Sequence, residues 1–317
     1  MWRIPANDGI DSYRRKQHGV AVAPAVSGAA VRLAVVSRRV RIVSINVNGI
    51  RAAVRNGMND WLAEADADIL AIQEVRATAD DLRTALPGWE IVNDEALAKG
   101  RAGVAIASRM APVEVRTSLS SDPVDSAGRW IEGDFDIDGE PVTVVSAYVH
   151  SGEVGTPKQE AKWGFLDAME KRMPQLTAER PLAVIMGDLN VGHRELDIRN
   201  WKGNVKKAGF LPRERGYFDR FLGEAGATVT GVDGSVGTGL GWIDIGRRHA
   251  GEVDGPYTWW SSRGKAFDTD TGWRIDYHLA TPALAERVTD YRIGRAPSWD
   301  TRWSDHAPVV ADYTLGL

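Results

Sequence analysis

The sequence contains no cysteine among its 317 residues. This absence excludes disulfide bonds, zinc sites built on thiolates and cysteine nucleophiles. Any metal ion must therefore bind to oxygen or imidazole ligands, and the composition carries no mark of the redox compartment.

The sequence also lacks an excess of positive charge and a long hydrophobic run. Its formal net charge is −4, which argues against a protein that holds nucleic acid by overall charge and leaves only a local basic face open. No apolar run approaches the ~20 residues that a membrane-spanning helix needs. We therefore expect a soluble, cytoplasmic protein with no membrane contact and no obligate protein partner.

The first 39 residues differ in character from the rest. A basic run at residues 14–16 precedes an Ala- and Val-rich stretch, residues 20–36, which resembles a secretory signal. A proline, a glycine and an arginine interrupt that stretch, so it is only weakly apolar. We expect a disordered extension or a misassigned start codon in preference to a signal, followed by a single catalytic domain over residues 40–317.

Beyond residue 40, short apolar or alternating segments predict many strands and few helices. Eight segments predict strands: 40–47, 68–75, 103–108, 130–137, 141–149, 181–188, 274–280 and 307–315. Three predict helices: 51–67, 80–86 and 157–173. This count favours an α/β fold with two mixed sheets packed face to face and flanked by helices.

Polar residues cluster where these strands end. They are Asn46, Asn48, Glu74, Tyr148, Asp188, Asn190, Asp276, Asp305 and His306. Each one alone has an ordinary explanation as a turn former. The set is improbable as turn chemistry, because Glu74 lies inside an apolar run and Asp276 is expected in the middle of a strand. Loops on rigid strands commonly carry chemistry, so we expect an active site at one edge of the sandwich.

Phosphodiester hydrolysis is a reaction that suits these residue types. Magnesium needs only one or two carboxylates in addition to the substrate phosphate. Glu74 and Asp305 are candidate ligands, with Asn46 as a neutral one; the alternative for Glu74 is a solvated glutamate at a strand end. We expect Mg²⁺ as the cofactor and Mn²⁺ as a substitute.

Two further groups supply proton chemistry. Asp188 and Asn190 are two residues apart, so an extended segment would present both on one side, where they could orient or deprotonate a water molecule. An Asx turn is the alternative. His306 could donate to a phosphate oxygen if Asp276 fixes its ring, although a histidine in this position is more often structural.

The motifs together resemble the exonuclease III class of apurinic/apyrimidinic endonucleases, within the endonuclease/exonuclease/phosphatase superfamily. The resemblance covers Arg41 to Leu315 and rests on the motifs SINVNGIRA, AIQEVRA, SAYV, GDLNV, NVKKAGFLPRER, YTWWSSRGKAFDTDTGWRIDY and SDHAPV. GDLNV or SDHAPV alone would mark only the superfamily. The resemblance implies a four-layer α/β sandwich.

It also implies roles for individual residues. Asn46, Glu74 and Asp305 resemble the family's metal ligands. The second metal position that some members have would fall on Asp188, Asn190 and His306. Tyr148 resembles the phenol that binds the phosphate, the pair of His306 and Asp276 resembles the phosphate-facing dyad, and Asn48 lies beside that dyad. Whether one or two ions bind stays open.

The segment after Tyr148 departs from the family pattern. It reads YVHSG, so Ser151 replaces an amide-bearing phosphate ligand. His150 could contact a phosphate or act as a supporting surface residue, and we favour the supporting role.

Two segments point to DNA as the substrate. Residues 191–220 contain eight basic and four acidic residues, with Lys206 and Lys207 as candidate backbone contacts. An ordinary helix with ion pairs is the alternative. By resemblance, Trp259 and Trp273 line a pocket for a base-less sugar. Trp260 is equally compatible with the core, and Arg263 and Lys265 could contact the opposite strand.

We therefore predict a metal-dependent DNA repair phosphodiesterase. Its expected activities are 3′→5′ exonuclease action on duplex DNA, cleaning of blocked 3′ ends, and incision 5′ to abasic sites to leave 3′-hydroxyl ends. One rival hypothesis is a superfamily enzyme that acts on RNA, a lipid or a phosphoinositide. Another is a DNA-binding module that has lost catalysis.

Overall fold

The protein is described here by a computed structural model, which covers residues 37–119 and 127–316. The extension predicted for residues 1–39 lies almost entirely outside the described residues. The first strand begins at Arg38, two residues before its predicted start at Val40. Within the described ranges, none of the helices has the length and apolar character required to cross a bilayer.

Fourteen strands and seven α-helices are present in the described part of the chain. The strands are β1 (Arg38–Asn46), β2 (Ile69–Gln73), β3 (Glu90–Asp94), β4 (Val104–Ser108), β5 (Glu114–Arg116), β6 (Trp130–Ile137), β7 (Glu140–Tyr148), β8 (Ala183–Asp188), β9 (Thr228–Thr230), β10 (Val236–Thr238), β11 (Ile243–Asp244), β12 (Asp276–Ala280), β13 (Val288–Ile293) and β14 (Val309–Leu315). The helices are α1 (Ile50–Arg55), α2 (Met58–Ala65), α3 (Ala79–Ala85), α4 (Pro157–Glu179), α5 (Pro212–Leu222), α6 (Ile245–Ala250) and α7 (Pro282–Ala285).

Twelve of the strands form two mixed six-stranded sheets. The first has the order β13-β14-β1-β2-β4-β3, and the second has the order β11-β12-β8-β7-β6-β5. Each sheet contains one parallel pair, β1 with β2 and β7 with β8, and all other pairs are antiparallel. Helices connect the strands of each parallel pair, as a parallel connection requires.

The inner faces of the two sheets share one core. Ile42 in β1 and Val144 and Val184 in the second sheet are fully buried members of the same cluster. Burying each such side chain contributes about 1.5–3 kcal/mol. Met169 in α4 packs on the outer face of the second sheet, and Leu62 in α2 packs on the outer face of the first. Helix, sheet, sheet and helix make four layers, which confirms the predicted sandwich.

All eight predicted strands are present, with ends that differ by a few residues. The single helix predicted over residues 51–67 is wrong: α1 and α2 are separate, because the backbone at Gly57 has a φ of 103° that ends the first helix. Strands such as β3 and β13 escaped prediction because their side chains are half exposed and charged, so they lack an apolar signature.

Gly187 allows the second sheet to bring its parallel strands together beside the polar end. A Cβ atom at this position would lie 1.9 Å from the carbonyl oxygen of Ala147 in the neighbouring strand, and the residue has a φ of 142°. No other residue type fits there. The glycine of the GDLNV motif therefore supports the position of Asp188.

Candidate active site

The C-terminal ends of the two parallel strand pairs meet at one edge of the sandwich. Asn46 ends β1, Glu74 directly follows β2, and Tyr148 and Asp188 end β7 and β8 as register partners. Glu74 has a φ of 50°, so the chain turns sharply as it leaves the strand. The topology thus gathers the predicted residues that the sequence scatters over more than a hundred positions.

Asn46 joins the two sheets at this edge. Its Nδ2 atom donates to Glu74 Oε1 at 3.0 Å and to Asp188 Oδ2 at 2.9 Å, and all three side chains are buried. Its Oδ1 atom accepts the backbone N–H of Asn48 at 3.0 Å. In this orientation Asn46 serves the carboxylates as a hydrogen-bond donor, and a flip of the amide would be needed to present oxygen to a cation.

Asp276 and His306 form the predicted dyad. His306 Nδ1 lies 2.9 Å from Asp276 Oδ2, and His306 Nε2 lies 3.8 Å from Asp188 Oδ2. Burial alone would lower the pKa of His306, but the carboxylates of Asp276 and Asp188 outweigh it and raise the pKa to about 10. Asp276 is the first residue of β12, so its expected place in the middle of a strand is wrong. Pairing of Asp276 with Asp188 in register brings the two carboxylates together.

Glu74, Asp188 and His306 offer ligand atoms that all lie within 4.8 Å of one another. Burial raises the pKa of Asp188, and the negative charges of Asp276 and Glu74 add to that effect. Crowded, buried carboxylates of this kind are stabilised by a cation. The carboxylate oxygens of Glu74 and Asp188 fit a divalent metal ion, whereas His306, while it is protonated, has no free nitrogen lone pair to offer one.

Asp305 lies beside this group and is held by two neighbours. Its Oδ1 atom accepts from Asn48 Nδ2 at 2.9 Å, and its Oδ2 atom accepts from Trp259 Nε1 at 3.1 Å. Burial acts to raise the pKa of Asp305, but the charge of His306 and these hydrogen bonds lower it below its usual value. Asp305 is thus an ionised carboxylate next to the dyad, although it is not in the group of atoms that lie within 4.8 Å of one another.

Two arginines that were not predicted from the sequence lie beside Tyr148 and Glu74. The guanidinium carbon of Arg129 lies 4.8 Å from the centre of the Tyr148 ring, and Arg129 Nη1 donates to the Tyr148 carbonyl at 3.2 Å. Burial and the negative charges of Glu74 and Asp188 raise the pKa of the phenol, so it stays protonated as a donor. Arg76 binds the other oxygen of Glu74. The only feature of the sequence that could have identified Arg76 is its position two residues after Glu74.

The prediction that Asp188 and Asn190 share one face of an extended segment is wrong. β8 ends at Asp188, and Asn190 has a φ of 51°. The backbone N–H of Asn190 donates to Asp188 Oδ1 at 3.0 Å, which is the Asx turn considered as the alternative. The side-chain amide of Asn190 donates to the Val149 carbonyl at 2.9 Å, so Asn190 ties the loop after β8 to the loop after β7.

The loop after Tyr148 places His150 and Ser151 beside the site. Burial, with the nearby charges of Arg129 and Lys162, lowers the pKa of His150 to about 3, so the ring is neutral. A neutral ring cannot attract a phosphate by charge. This agrees with the role of supporting residue that we favour for His150. Ser151 is exposed, and its carbonyl accepts from Lys162 at 3.2 Å.

The basic stretch of residues 191–220 carries less free positive charge than its composition predicts. Arg194 pairs with Glu252, Arg199 with Asp254, Arg215 with Glu195 and Arg220 with Glu170. The alternative of ordinary ion pairs is therefore correct for these four arginines. The exposed lysines of the stretch, including the predicted contacts Lys206 and Lys207, have no ion pair among the described residues.

The tryptophans divide as the sequence suggested. Trp260 is 1% exposed and belongs to the core. Trp259 and Trp273 are half buried, with ring centres 6.0 Å apart at an angle of 89°, and Trp259 lies 6.4 Å from the His306 ring. Arg263 and Lys265 are exposed on the following loop. This aromatic pair therefore borders the dyad.

Comparison with known proteins agrees with this geometry. Residues 43–306 match the Endonuclease/Exonuclease/phosphatase family. An exodeoxyribonuclease of Bacillus subtilis (strain 168) is 32% identical over 270 residues, which cover 85% of this chain and 97% of that protein. DNA repair nuclease APEX1 of Danio rerio is 31% identical over 278 residues, which cover 85% of this chain and 81% of that protein.

A solved structure of the 3′ phosphatase NExo from Neisseria, bound to product DNA hairpin, has a TM-score of 0.71 and 28% identity. The match covers 86% of this chain and 99% of that chain. This chain therefore belongs to the endonuclease/exonuclease/phosphatase family.

Proposed function

We propose that this hydrolase of phosphodiester bonds is a Mg²⁺-dependent DNA repair nuclease, located in the cytoplasm, that acts on duplex DNA. Its activities would be 3′→5′ exonuclease action, cleaning of blocked 3′ ends and incision 5′ to abasic sites. The observation that carries the proposal is the buried group of Glu74, Asp188 and His306 next to the Asp276 carboxylate. The relatives named above are similar proteins that act on DNA, and they support DNA over RNA or lipid.

The chain's own residues supply most of the chemistry. Asp188, whose pKa is raised, is suited to accept a proton from a water molecule. His306, held protonated by Asp276, donates to a phosphate oxygen as negative charge develops, and the phenol of Tyr148 is a second donor. A divalent cation bound by Glu74 would supply further charge stabilisation of the phosphate.

Asn46 and Asp305 complete the proposed metal site in different ways. The Nδ2 atom of Asn46 contacts both Glu74 and Asp188. A rotation of the side-chain amide would place Oδ1 where Nδ2 now lies, and Asn46 would then offer an oxygen ligand to the ion without a movement of its backbone. Asp305 adds negative charge beside the site. Mn²⁺ accepts the same oxygen and imidazole ligands, so we expect it to support the reaction.

The surface around Tyr148 supports a polyanionic substrate. A cleft of about 450 Å³ opens there, and its lining includes Arg76, Arg101, Arg129 and Lys158. The exposed Arg263 and Lys265 lie on the loop that follows Trp259, and Trp259 borders His306, so a second basic segment of the chain is connected to the site. A duplex backbone needs such an extended distribution of charge, whereas a small phosphorylated headgroup needs only one cluster.

Trp259 and Trp273 support the abasic-site activity. Their rings meet edge to face and remain half exposed beside His306. An apolar pair in this position can contact a sugar that lacks a base after it rotates out of the helix. We expect Trp273→Ala to reduce abasic incision by about 10-fold and to change removal of ordinary 3′ nucleotides much less.

The test is a Mg²⁺-dependent digestion of end-labelled duplexes with and without one abasic site. Single-stranded RNA and a phosphorylated inositol serve as competing substrates. We expect incision of the abasic duplex and 3′ shortening of both duplexes. Preference for RNA or the inositol would refute the DNA proposal.

Two variants distinguish a nuclease from a DNA-binding module that has lost catalysis. Glu74→Gln and Asp188→Asn should each reduce kcat by about 100-fold or more, while the exposed control Glu252→Gln retains wild-type cleavage. Unchanged cleavage by the first two variants, or full activity in chelator, would refute the proposed site.

A further inference from the structure

Lys162 is a charged residue with no solvent access. It lies in α4, and its side chain is 0% exposed. Its Nζ atom lies 2.9 Å from Glu214 Oε1, 2.8 Å from the Asn190 carbonyl and 3.2 Å from the Ser151 carbonyl. An ammonium group has three donors, so each can be satisfied. Burying a charge is costly without such partners, which makes the position of this lysine strongly determined.

The two carbonyl groups belong to different catalytic loops. Ser151 follows Tyr148 at the end of β7, and Asn190 follows Asp188 at the end of β8. These strands are parallel neighbours, so both loops leave the same edge of the sheet. Lys162 therefore joins, through one atom, the loop of the phenol and the loop of the carboxylate.

Glu214 holds the lysine in place from the opposite side. It is fully buried at the first turn of α5, and its Oε2 atom accepts the backbone N–H groups of Gly209 at 2.7 Å and Leu211 at 3.0 Å. Gln159 also donates to Glu214 Oε1, at 2.8 Å. The carboxylate is thus fixed to the backbone, and it gives Lys162 a rigid anchor.

The loop after Tyr148 is shaped to pack on the lysine. Gly152 has a φ of 77°, and a Cβ atom there would lie 3.0 Å from Lys162 Cδ and 2.6 Å from Gln159 Oε1. A side chain at residue 152 would push the loop away from α4. The close approach of backbone to lysine stem therefore depends on glycine.

We propose that Lys162 is a positioning residue that sets the spacing between Tyr148 and Asp188 by hydrogen bonding to both of their loops. The proposal rests on the proposed function, since that spacing matters for hydrolysis. Displacement of a reacting group by about 1 Å can reduce a rate by about 100-fold. Lys162 contacts no reacting atom itself and acts only through the two backbones.

The test compares Lys162→Met with the matched control Gln159→Met. Both variants remove one buried donor to Glu214, but only the first removes the contacts to Ser151 and Asn190. We expect kcat of Lys162→Met on an abasic duplex to fall about 100-fold with little change in KM, whereas Gln159→Met stays within about threefold of wild type.

Hydrogen–deuterium exchange gives a readout that does not need activity. Amides of residues 149–152 and 189–192 should exchange at least about 10-fold faster in Lys162→Met and at the wild-type rate in Gln159→Met. If wild type fails to cleave DNA, the proposed function is refuted while the exchange experiment still decides the role of Lys162.

Equal losses of kcat and equal exchange in the two variants would overturn the positioning role, because they would reflect only damage to the buried cluster. If Lys162→Met does not fold, Glu214→Gln replaces it. That variant keeps the side-chain shape but removes the charge that anchors Lys162. We expect it to reproduce the rise in loop exchange, and wild-type exchange would overturn the proposal.

Discussion

Asp276 accepts a hydrogen bond from His306 Nδ1 at 2.9 Å, although 30 residues separate the two in sequence. Burial on its own would lower the pKa of the imidazole, but the Asp276 carboxylate, with Asp188, raises it to about 10. The ring is therefore a cation throughout the neutral range. Its other nitrogen faces Asp188, on the side where a phosphate would bind.

Replacement of Asp276 by asparagine should remove the larger part of the interaction that stabilises the protonated imidazole of His306. The pKa of His306 then falls, so the protonated donor is lost at lower pH and the alkaline limb of kcat shifts toward neutrality. At pH 8 we expect a fall in kcat of about 10- to 100-fold. A pH–rate profile and an NMR titration of the imidazole in metal-free protein measure the two effects. Asp254→Asn, an exposed control, should change neither; a profile that coincides with wild type in Asp276→Asn would contradict the assigned role.

Substitution of Glu74, the proposed metal ligand, should reduce metal binding without preventing folding. Because a ligand that binds only the native state stabilises it, Mg²⁺ should raise the Tm of wild type and raise that of Glu74→Gln much less. We expect the kcat of the variant to fall by about 100-fold or more at moderate Mg²⁺. Thermal denaturation with and without Mg²⁺ gives the first quantity. Equal Mg²⁺-induced shifts in both proteins would place the ion elsewhere.

The exposed lysines Lys206 and Lys207 should contribute to the salt dependence of DNA binding. Each phosphate contact that is lost reduces the slope of log K against log salt by about 1, so the double alanine variant should lower the slope by about 2. Arg199→Ala is the matched control, because Arg199 Nη1 already pairs with Asp254 at 2.9 Å. Fluorescence anisotropy with a catalytically inactive background measures binding. Equal slopes in wild type and the lysine variant would exclude these lysines from the interface.

The sequence predicts well which polar residues lie at strand ends, because these residues stand out against apolar runs. Glu74 and Asp276 stand out in this way. The ends of the two parallel strand pairs, and the antiparallel pairing of Asp276 with Asp188, then bring the polar residues to one edge of the sandwich. The sandwich of two mixed sheets followed from strand segments whose buried faces leave a clear period, and its four layers followed from the family resemblance. These features depend on short stretches of chain, which a sequence displays directly.

Features that depend on distant partners were not predictable. Arg194 and Arg199 look like free positive charge until the chain folds and places Glu252 and Asp254 beside them, more than fifty positions away. Lys162 looks like an ordinary helical lysine next to Trp163. Only the tertiary structure shows that it is buried, because its burial depends on Glu214 and on two backbone carbonyls.

A histidine away from the active site should control the stability of the protein in mild acid. His278 in β12 is fully buried, and its Nδ1 atom lies 3.2 Å from the hydroxyl of Tyr313. Burial lowers its pKa from 6.5 to about 3. The folded protein thus excludes a proton that the unfolded chain accepts.

The lower pKa of His278 in the folded state makes the protein less stable as the pH falls. The stabilisation is complete above pH 6.5 and is lost as the pH falls toward 3, because only the unfolded state then gains a proton. The loss amounts to about 1.4 kcal/mol per pH unit. His278→Gln cannot titrate, so its deficit relative to wild type should shrink by about 1.6 kcal/mol between pH 6.5, where the unfolded histidine is half protonated, and pH 5. Urea unfolding at both pH values measures the free energy of unfolding of each protein. The exposed His249→Gln is the control, and its difference from wild type should be the same at both pH values. A constant deficit in His278→Gln would show that the ring takes up a proton over the same pH range in the native and the unfolded state, which would contradict the lowered pKa.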